Sequence, residues 1–320
     1  MVMNSVIGKY ESDLKCIENI IDVPPLGVHG FILNLESSFK FLSVDNVKQK
    51  FIGICNSNIN KNRNGVNVIP KIIHRVWLCS LDNELLPEEK YLATIKATAF
   101  NLNEGWEHYV WVNSILVEIE LKKYFADVGN VTIKNYCNEK IDFRLKNSIA
   151  LLIKDKKFAF ACDKLRIELI YNFGGIYSDV GVHFKSDITC LLQGEPYVFL
   201  LGNSLFFQNS LFGAKKHDPL FDILIRINQD PGLFPRKLLG EVTAVTEGYI
   251  ASGLLITYLY LIMIPDYISP VLFCGNQSLI QWGSQRSWYG NNEATASVNV
   301  KGTKLSFINK KAPDSHSVIY

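Results

Sequence analysis

The chain lacks a charge excess of either sign. Its 320 residues carry 33 Lys and Arg against 31 Asp and Glu, a net charge of +2. No overall field therefore draws it to nucleic acid or to an acidic membrane, and a nucleic-acid partner is not expected. Its seven cysteines, Cys16, Cys55, Cys79, Cys137, Cys162, Cys190 and Cys274, are scattered and odd in number. No C-x-x-C pair occurs among them, which argues against a zinc clip or a dithiol redox centre and for reduced thiols. The N-terminus, MVMNSVIGKYESDLKC, has no basic stretch followed by an apolar one and a small-residue cleavage site. Synthesis in the cytoplasm without a cleaved signal is the expectation. The longest apolar run, Ile250 to Ile264, falls short of the roughly 20 residues a membrane-spanning helix needs. It reads as a buried helix stopped by Pro265. Also missing is any Ser-His-Asp or Cys-His pattern of a nucleophilic enzyme.

What is present is ordinary globular composition, 48% hydrophobic and 20% charged, enough to bury a large core. Residues 1–68 mix short apolar stretches with polar loops and end in NSNINKNRNGVN, which has no periodicity and reads as a linker. They are expected to form an N-terminal extension, a helical cap for acceptor or membrane docking. The main domain, 69–320, opens on Val68 to Leu78, whose β-branched run predicts a buried strand. A helix from about Glu88 to Ala99 and a second strand, His108 to Val112, imply a parallel crossover. Residues Asn147 to Asn172 show helical spacing closed by Phe173-Gly174-Gly175. Ile176 to Phe184 then predicts one strand with Tyr177, Asp179, Gly181 and His183 on one face. Strands at Tyr197 to Leu201 and Leu205 to Phe212 follow. The alternation points to an α/β fold with a ligand at the carboxyl ends of its strands.

Asp163 and Arg166 lie three residues apart on one helix face, and one double-glycine turn separates them from Asp179. An acceptor beside a fork of donors suits a polyhydroxylated ligand bearing a diphosphate. On its own the pair reads more simply as a helix ion pair worth a few tenths of a kcal/mol.

Three separated motifs change that balance: Ile69-Pro-Lys-Ile-Ile-His-Arg-Val-Trp77, Trp111-Val-Asn-Ser114, and Ala161 to Gly181 with Asp163, Arg166, Gly174-Gly175-Ile-Tyr177 and Asp179. In order and spacing the chain resembles the retaining glycosyltransferases with a DXD motif, the sugar-binding-region family of initiating mannosyltransferases and the glucosyltransferase domains of large clostridial toxins. The resemblance implies a GT-A type nucleotide-sugar-binding fold, one mixed and mostly parallel sheet flanked by helices. It implies transfer of a hexose or N-acetylhexosamine, UDP-sugar favoured, to a protein or glycan acceptor.

By the same resemblance Asp163, Arg166 and Asp179 are the catalytic residues. Trp77, Trp111, Asn113, Tyr177, Gly174, Gly175, Ser287 and Trp288 would bind the donor, Trp77 by stacking on its base. Thr246-Glu247-Gly248 and Gln281-Trp282-Gly283 resemble the family's later loops more weakly. The family's cation is Mn2+ or Mg2+, but the second Asp of DXD is Gly181 here, and a histidine of the closing segment is Gln281. Asp179 would hold the ion with the donor's diphosphate, with His183 or Asp187 as substitute ligands. Gly181 also leaves open a degenerate protein that binds a nucleotide sugar or a partner without transfer. Membrane association through Ile250 to Ile264 is a third reading. The Asn, Ile and Lys-rich composition with no anchor fits a bacterial effector delivered into a host cell, where a host protein would be the acceptor.

Overall fold

The computed structural model describes residues 2–21, 44–59, 61, 65–201, 207–230, 249–265, 268–274, 278–282, 297–300 and 303–306. Two helices come first, α1 (Val2–Ile21) and α2 (Val44–Asn58). Val6, Tyr10 and Leu14 recur at helical spacing on α1 and are buried with Phe51, Ile54 and Cys55 of α2 in the main core. These helices share a core with the sheet: the Tyr10 hydroxyl accepts from the backbone N–H of Leu272, and Asp13 accepts from Ser278.

The central sheet has seven strands: β1 (Ile72–Trp77), β2 (Glu107–Val112), β3 (Val131–Asn135), β4 (Gly175–Ser178), β6 (Tyr197–Leu201), β7 (Phe207–Ala214) and β8 (Val271–Cys274). A short strand, β5 (Val182–Phe184), lies outside it and pairs with β9 (Ile280–Trp282). Residues 297–300 and 303–306 form a further antiparallel pair, β10 and β11. The sheet order is β3-β2-β1-β4-β7-β6-β8. All its pairings are parallel except the two made by β7. This is the expected α/β architecture, a mixed and mostly parallel sheet. β6 (YVFLL) and β8 (VLFC) are continuous apolar runs, buried along their whole length.

The crossovers are α3 (Glu89–Asn101), α4 (Ile115–Tyr124), α5 (Lys146–Lys154) and α6 (Phe158–Phe173). After β7 come α7 (Pro219–Gln229) and α8 (Tyr249–Met263). Ser114 caps α4 by accepting from the N–H groups of Leu116 and Val117, and Asp218 caps α7 through Leu220. The apolar run from Ile250 is α8, whose described side chains from Leu255 to Tyr260 are buried. No helix among the described residues is long and apolar enough to cross a membrane.

Two sequence expectations are corrected. The helical stretch from Asn147 to Asn172 is two helices, broken at Asp155-Lys156-Lys157, where Lys156 takes a left-handed φ of 57°. The strand expected from Ile176 to Phe184 stops at Ser178 and resumes at Val182. Between them the chain turns, with the Val182 N–H donating to the Asp179 carbonyl at 3.0 Å. Gly181 is in this turn, so His183 no longer continues the face of Tyr177 and Asp179.

Candidate active site

β1, β2, β3 and β4 run parallel, so their carboxyl ends share one edge of the sheet, where open α/β sheets hold ligands. Asp179 directly follows β4 at that edge. α6 runs back toward β4, so its first turns, with Asp163 and Arg166, reach the same edge. β7 is antiparallel to β4, and its opening residues arrive there too.

The double glycine makes this turn possible. Gly174 and Gly175 both have positive φ, 68° and 91°. A Cβ on Gly174 would lie 2.6 Å from the Lys216 backbone nitrogen, and one on Gly175 would lie 2.6 Å from the Ile72 carbonyl oxygen. Only glycine meets both the dihedral and the space. The pair's observed role is to close α6 onto β4.

Arg166, 4% exposed, is the centre of the cluster. Its Nη2 lies 3.0 Å from Asp163 Oδ1, its Nη1 donates to the Asn209 carbonyl at 2.6 Å, and the same Nη1 is 3.6 Å from Asp179 Oδ1. The guanidinium lies over the Tyr177 ring at 4.5 Å, and the Tyr177 hydroxyl donates to Asp179 Oδ1 at 2.6 Å. Asn209 Nδ2 donates to Asp163 Oδ1 at 3.0 Å. Asp163, Arg166, Tyr177 and Asp179, four residues singled out from sequence, therefore form one bonded cluster. Burial pushes the Asp163 carboxyl up to about 6, with Arg166 opposing the shift. Burial also raises Asp179, against the pull of Arg166, the Tyr177 hydroxyl and Arg75.

Two members were missed by sequence reasoning. Asn209 lies where β7 slips against β6: Phe199 pairs with Phe212 while Leu200 pairs with Gln208. This irregularity aims Asn209 at Asp163, and Ser210 lends its carbonyl to the Asp179 N–H at 2.8 Å. The available signal was a polar triplet, Gln208-Asn209-Ser210, inside an otherwise apolar buried strand. Arg75 was hidden in the β-branched run of β1. It is 1% exposed, its Nη2 donates to the Val182 carbonyl at 3.0 Å, and burial pulls it down to about 10, so it stays protonated at neutral pH.

The other expected donor contacts have these positions. Trp77 is half-buried at the end of β1, its indole N–H donating to the Leu85 carbonyl at 2.8 Å. Trp111 is fully buried, and its N–H is committed to His74 Nδ1 at 3.0 Å. The Asn113 side chain clamps Cys79, accepting from its N–H at 3.0 Å and donating to its carbonyl at 2.8 Å. It thereby ties the ends of β1 and β2 together. His183 meets Asn101 Nδ2 at 3.2 Å, and Asp187 caps the turn at Thr189, accepting from its N–H and hydroxyl. Among the described residues no group of three His, Cys, Asp or Glu is arranged to hold a metal. Ser287, Trp288, Gly283 and the Thr246-Glu247-Gly248 loop lie outside the described residues. Gln281 is exposed on β9, paired with His183.

No protein-family model matches the chain, and no curated protein matches it. Among solved structures it is similar to the PaToxG glycosyltransferase, with 18% identity, 68% of this chain and 77% of that one covered, and a TM-score of 0.49. It is also similar to the UDP-bound glycosyltransferase domain from the YGT toxin, with 8% identity, 67% and 80% covered, and a TM-score of 0.43. A third is the catalytic domain of alpha-toxin from Clostridium novyi, with 10% identity, 81% and 74% covered, and a TM-score of 0.39. Likeness at this level fixes neither a reaction nor a substrate.

Proposed function

We infer that this chain is a retaining glycosyltransferase, moving a hexose or N-acetylhexosamine from a nucleotide sugar to a protein or glycan acceptor. One observation carries the reading: a buried guanidinium, Arg166, is bracketed by two carboxylates from different elements at the ligand-binding edge of the sheet. Asp163 and Asp179 accept from the hydroxyls of the donor, and Arg166 faces its phosphate oxygens. Tyr177 fixes Asp179 and lines the sugar pocket, and Trp77 stacks on the base, uracil being favoured. The resemblance in residues 69–288 supports each of these roles.

In the reaction the bond from the sugar's anomeric carbon to the diphosphate oxygen breaks and its electron pair leaves with the diphosphate. The acceptor oxygen then bonds to that carbon on the same face and gives its proton to the departing diphosphate oxygen, which lies on that face. No protein nucleophile is needed. The protein's work is to hold the donor, exclude water and meet the charge that develops on the leaving group.

The residues at Asp179 do not fit a protein-held Mn2+ or Mg2+. Asp179 Oδ1 already accepts from Tyr177 beside Arg166, Gly181 brings no carboxylate, and His183 is bonded to Asn101. The reading therefore assigns the charge work to arginine. Gly181 also favours a second reading, a protein that binds a nucleotide sugar without transferring it.

The two readings separate when UDP-glucose, UDP-N-acetylglucosamine, UDP-galactose and GDP-mannose are each incubated with the protein. Release of nucleotide from one donor is the expected result and names the sugar. Stabilisation by UDP with no release from any donor selects the second reading.

A further inference from the structure

Arg75 is a buried charge with an incomplete set of partners. Its Nη2 bonds the Val182 carbonyl, but neither Nε nor Nη1 has a hydrogen-bond partner among the described residues. No carboxylate pairs with it within ion-pair distance among them. A buried guanidinium left like this is costly, and native folds that keep one hold an anion or water against it.

Its position gives the charge a direction. In the parallel register Ile73 lies beside Ile176 and His74 beside Tyr177, so Arg75 falls level with Ser178, one residue before Asp179. The carbonyl it grips, Val182, closes the turn whose other end is the Asp179 carbonyl. Arg166 approaches Asp179 from the α6 side, while Arg75 projects from β1 on the face opposite His74, which meets the α6 end at Gly174. Arg166 already faces both carboxylates, Asp163 and Asp179, so Arg75 is the positive charge at this turn that no carboxylate among the described residues meets within ion-pair distance. The basic neighbours on the Arg75 side are Lys185, and the histidines there, His108 and His183, are held toward the neutral form by burial and by Arg75 itself.

We propose that Arg75 is a positioning residue that supplies fixed positive charge beneath the Asp179–Val182 turn, so that a nucleoside diphosphate binds this site without a divalent cation. The proposal rests on the nucleotide-sugar reading above and adds to it the source of the charge. Arg75 acts through the turn and through its field, in a buried setting where that field is weakly screened.

The test is calorimetric binding of UDP and of uridine to the full chain, in EDTA and in Mn2+ or Mg2+. Wild type is expected to bind UDP with the same affinity in EDTA as in metal. Arg75→Met should weaken UDP at least tenfold while leaving uridine unchanged, and Arg75→Lys should recover most of the loss. A merely structural role would weaken both ligands alike. UDP binding by wild type that appears only with metal overturns the proposal and leaves the nucleotide-sugar reading standing. Failure of UDP to bind under either condition overturns both. Should Arg75→Met fail to fold, the wild-type comparison in EDTA and metal still decides.

Discussion

The indole N–H of Trp111 donates to Nδ1 of His74 at 3.0 Å, and His74 Nε2 lies 2.9 Å from the Gly174 carbonyl. An indole only donates, so Nδ1 is the acceptor and the proton sits on Nε2, which donates to Gly174. A neutral imidazole thus ties β2, β1 and the glycine turn into one unit. Protonating it breaks the Trp111 bond.

Burial holds His74 down to about 4, with the bond to Gly174 opposing the shift. The unfolded chain, with its ordinary histidine near 6.5, takes the proton first as pH falls. Stability from this group is complete above about 6.5 and is lost between there and 4, a change of roughly 3 kcal/mol at most. Urea denaturation should show the stability gap between wild type and His74→Gln shrinking as pH drops from 7 to 4.5. A gap that stays constant contradicts the neutral assignment.

Asp163 titrates in the opposite sense, since its folded value of about 6 lies above that of the unfolded carboxyl. On the proposed function it is the ionised form that accepts from the donor hydroxyls and from Arg166 together. Donor affinity should fall as pH drops through about 6, and Asp163→Asn should weaken binding roughly 10- to 100-fold at pH 7.5, the worth of a hydrogen bond to a charge. In that variant the pH dependence near 6 should vanish. Titration of donor binding between pH 5 and 8 checks both points, and an unchanged profile in the variant would assign the dependence elsewhere.

Asn209→Ala removes the amide donor to Asp163 but keeps the backbone carbonyl that Arg166 uses. The expected cost is about 1–2 kcal/mol of stability, with the larger effect on donor binding, because Asp163 loses a buried partner. Thermal unfolding with and without UDP reads the two effects separately.

Gly174→Ala should be among the most damaging single changes. Its Cβ would meet the Lys216 backbone nitrogen at 2.6 Å and the Pro70 ring at 2.9 Å, with φ already at 68°. A loss of roughly 2–4 kcal/mol follows from backbone strain and collision together. A melting temperature near wild type would show that the turn can relax.

Much of the site could be read in the sequence because its signals are local. Asp163 and Arg166 are one helical turn apart, Gly174-Gly175 marks a helix stop, and Tyr177 and Asp179 alternate off one short strand. What escaped depends on tertiary context. Lys156 breaks a helix in a conformation its residue type rarely adopts, so no glycine or proline announced it. Asn209 reaches Asp163 only because β7 slips against β6. Arg75 looked like one more member of a strand, since period and composition do not reveal which buried side chain keeps donors unmet among the described residues.

The most direct test of the account is nucleotide release from the preferred donor by wild type and by Asp179→Asn, which keeps the shape and the Tyr177 contact but removes the charge. The account predicts turnover in wild type and a loss of at least 100-fold in kcat/KM for the variant, with the melting temperature held within a few degrees. Equal turnover by both proteins would contradict it, because the reaction would then not depend on the carboxylate at the centre of the site.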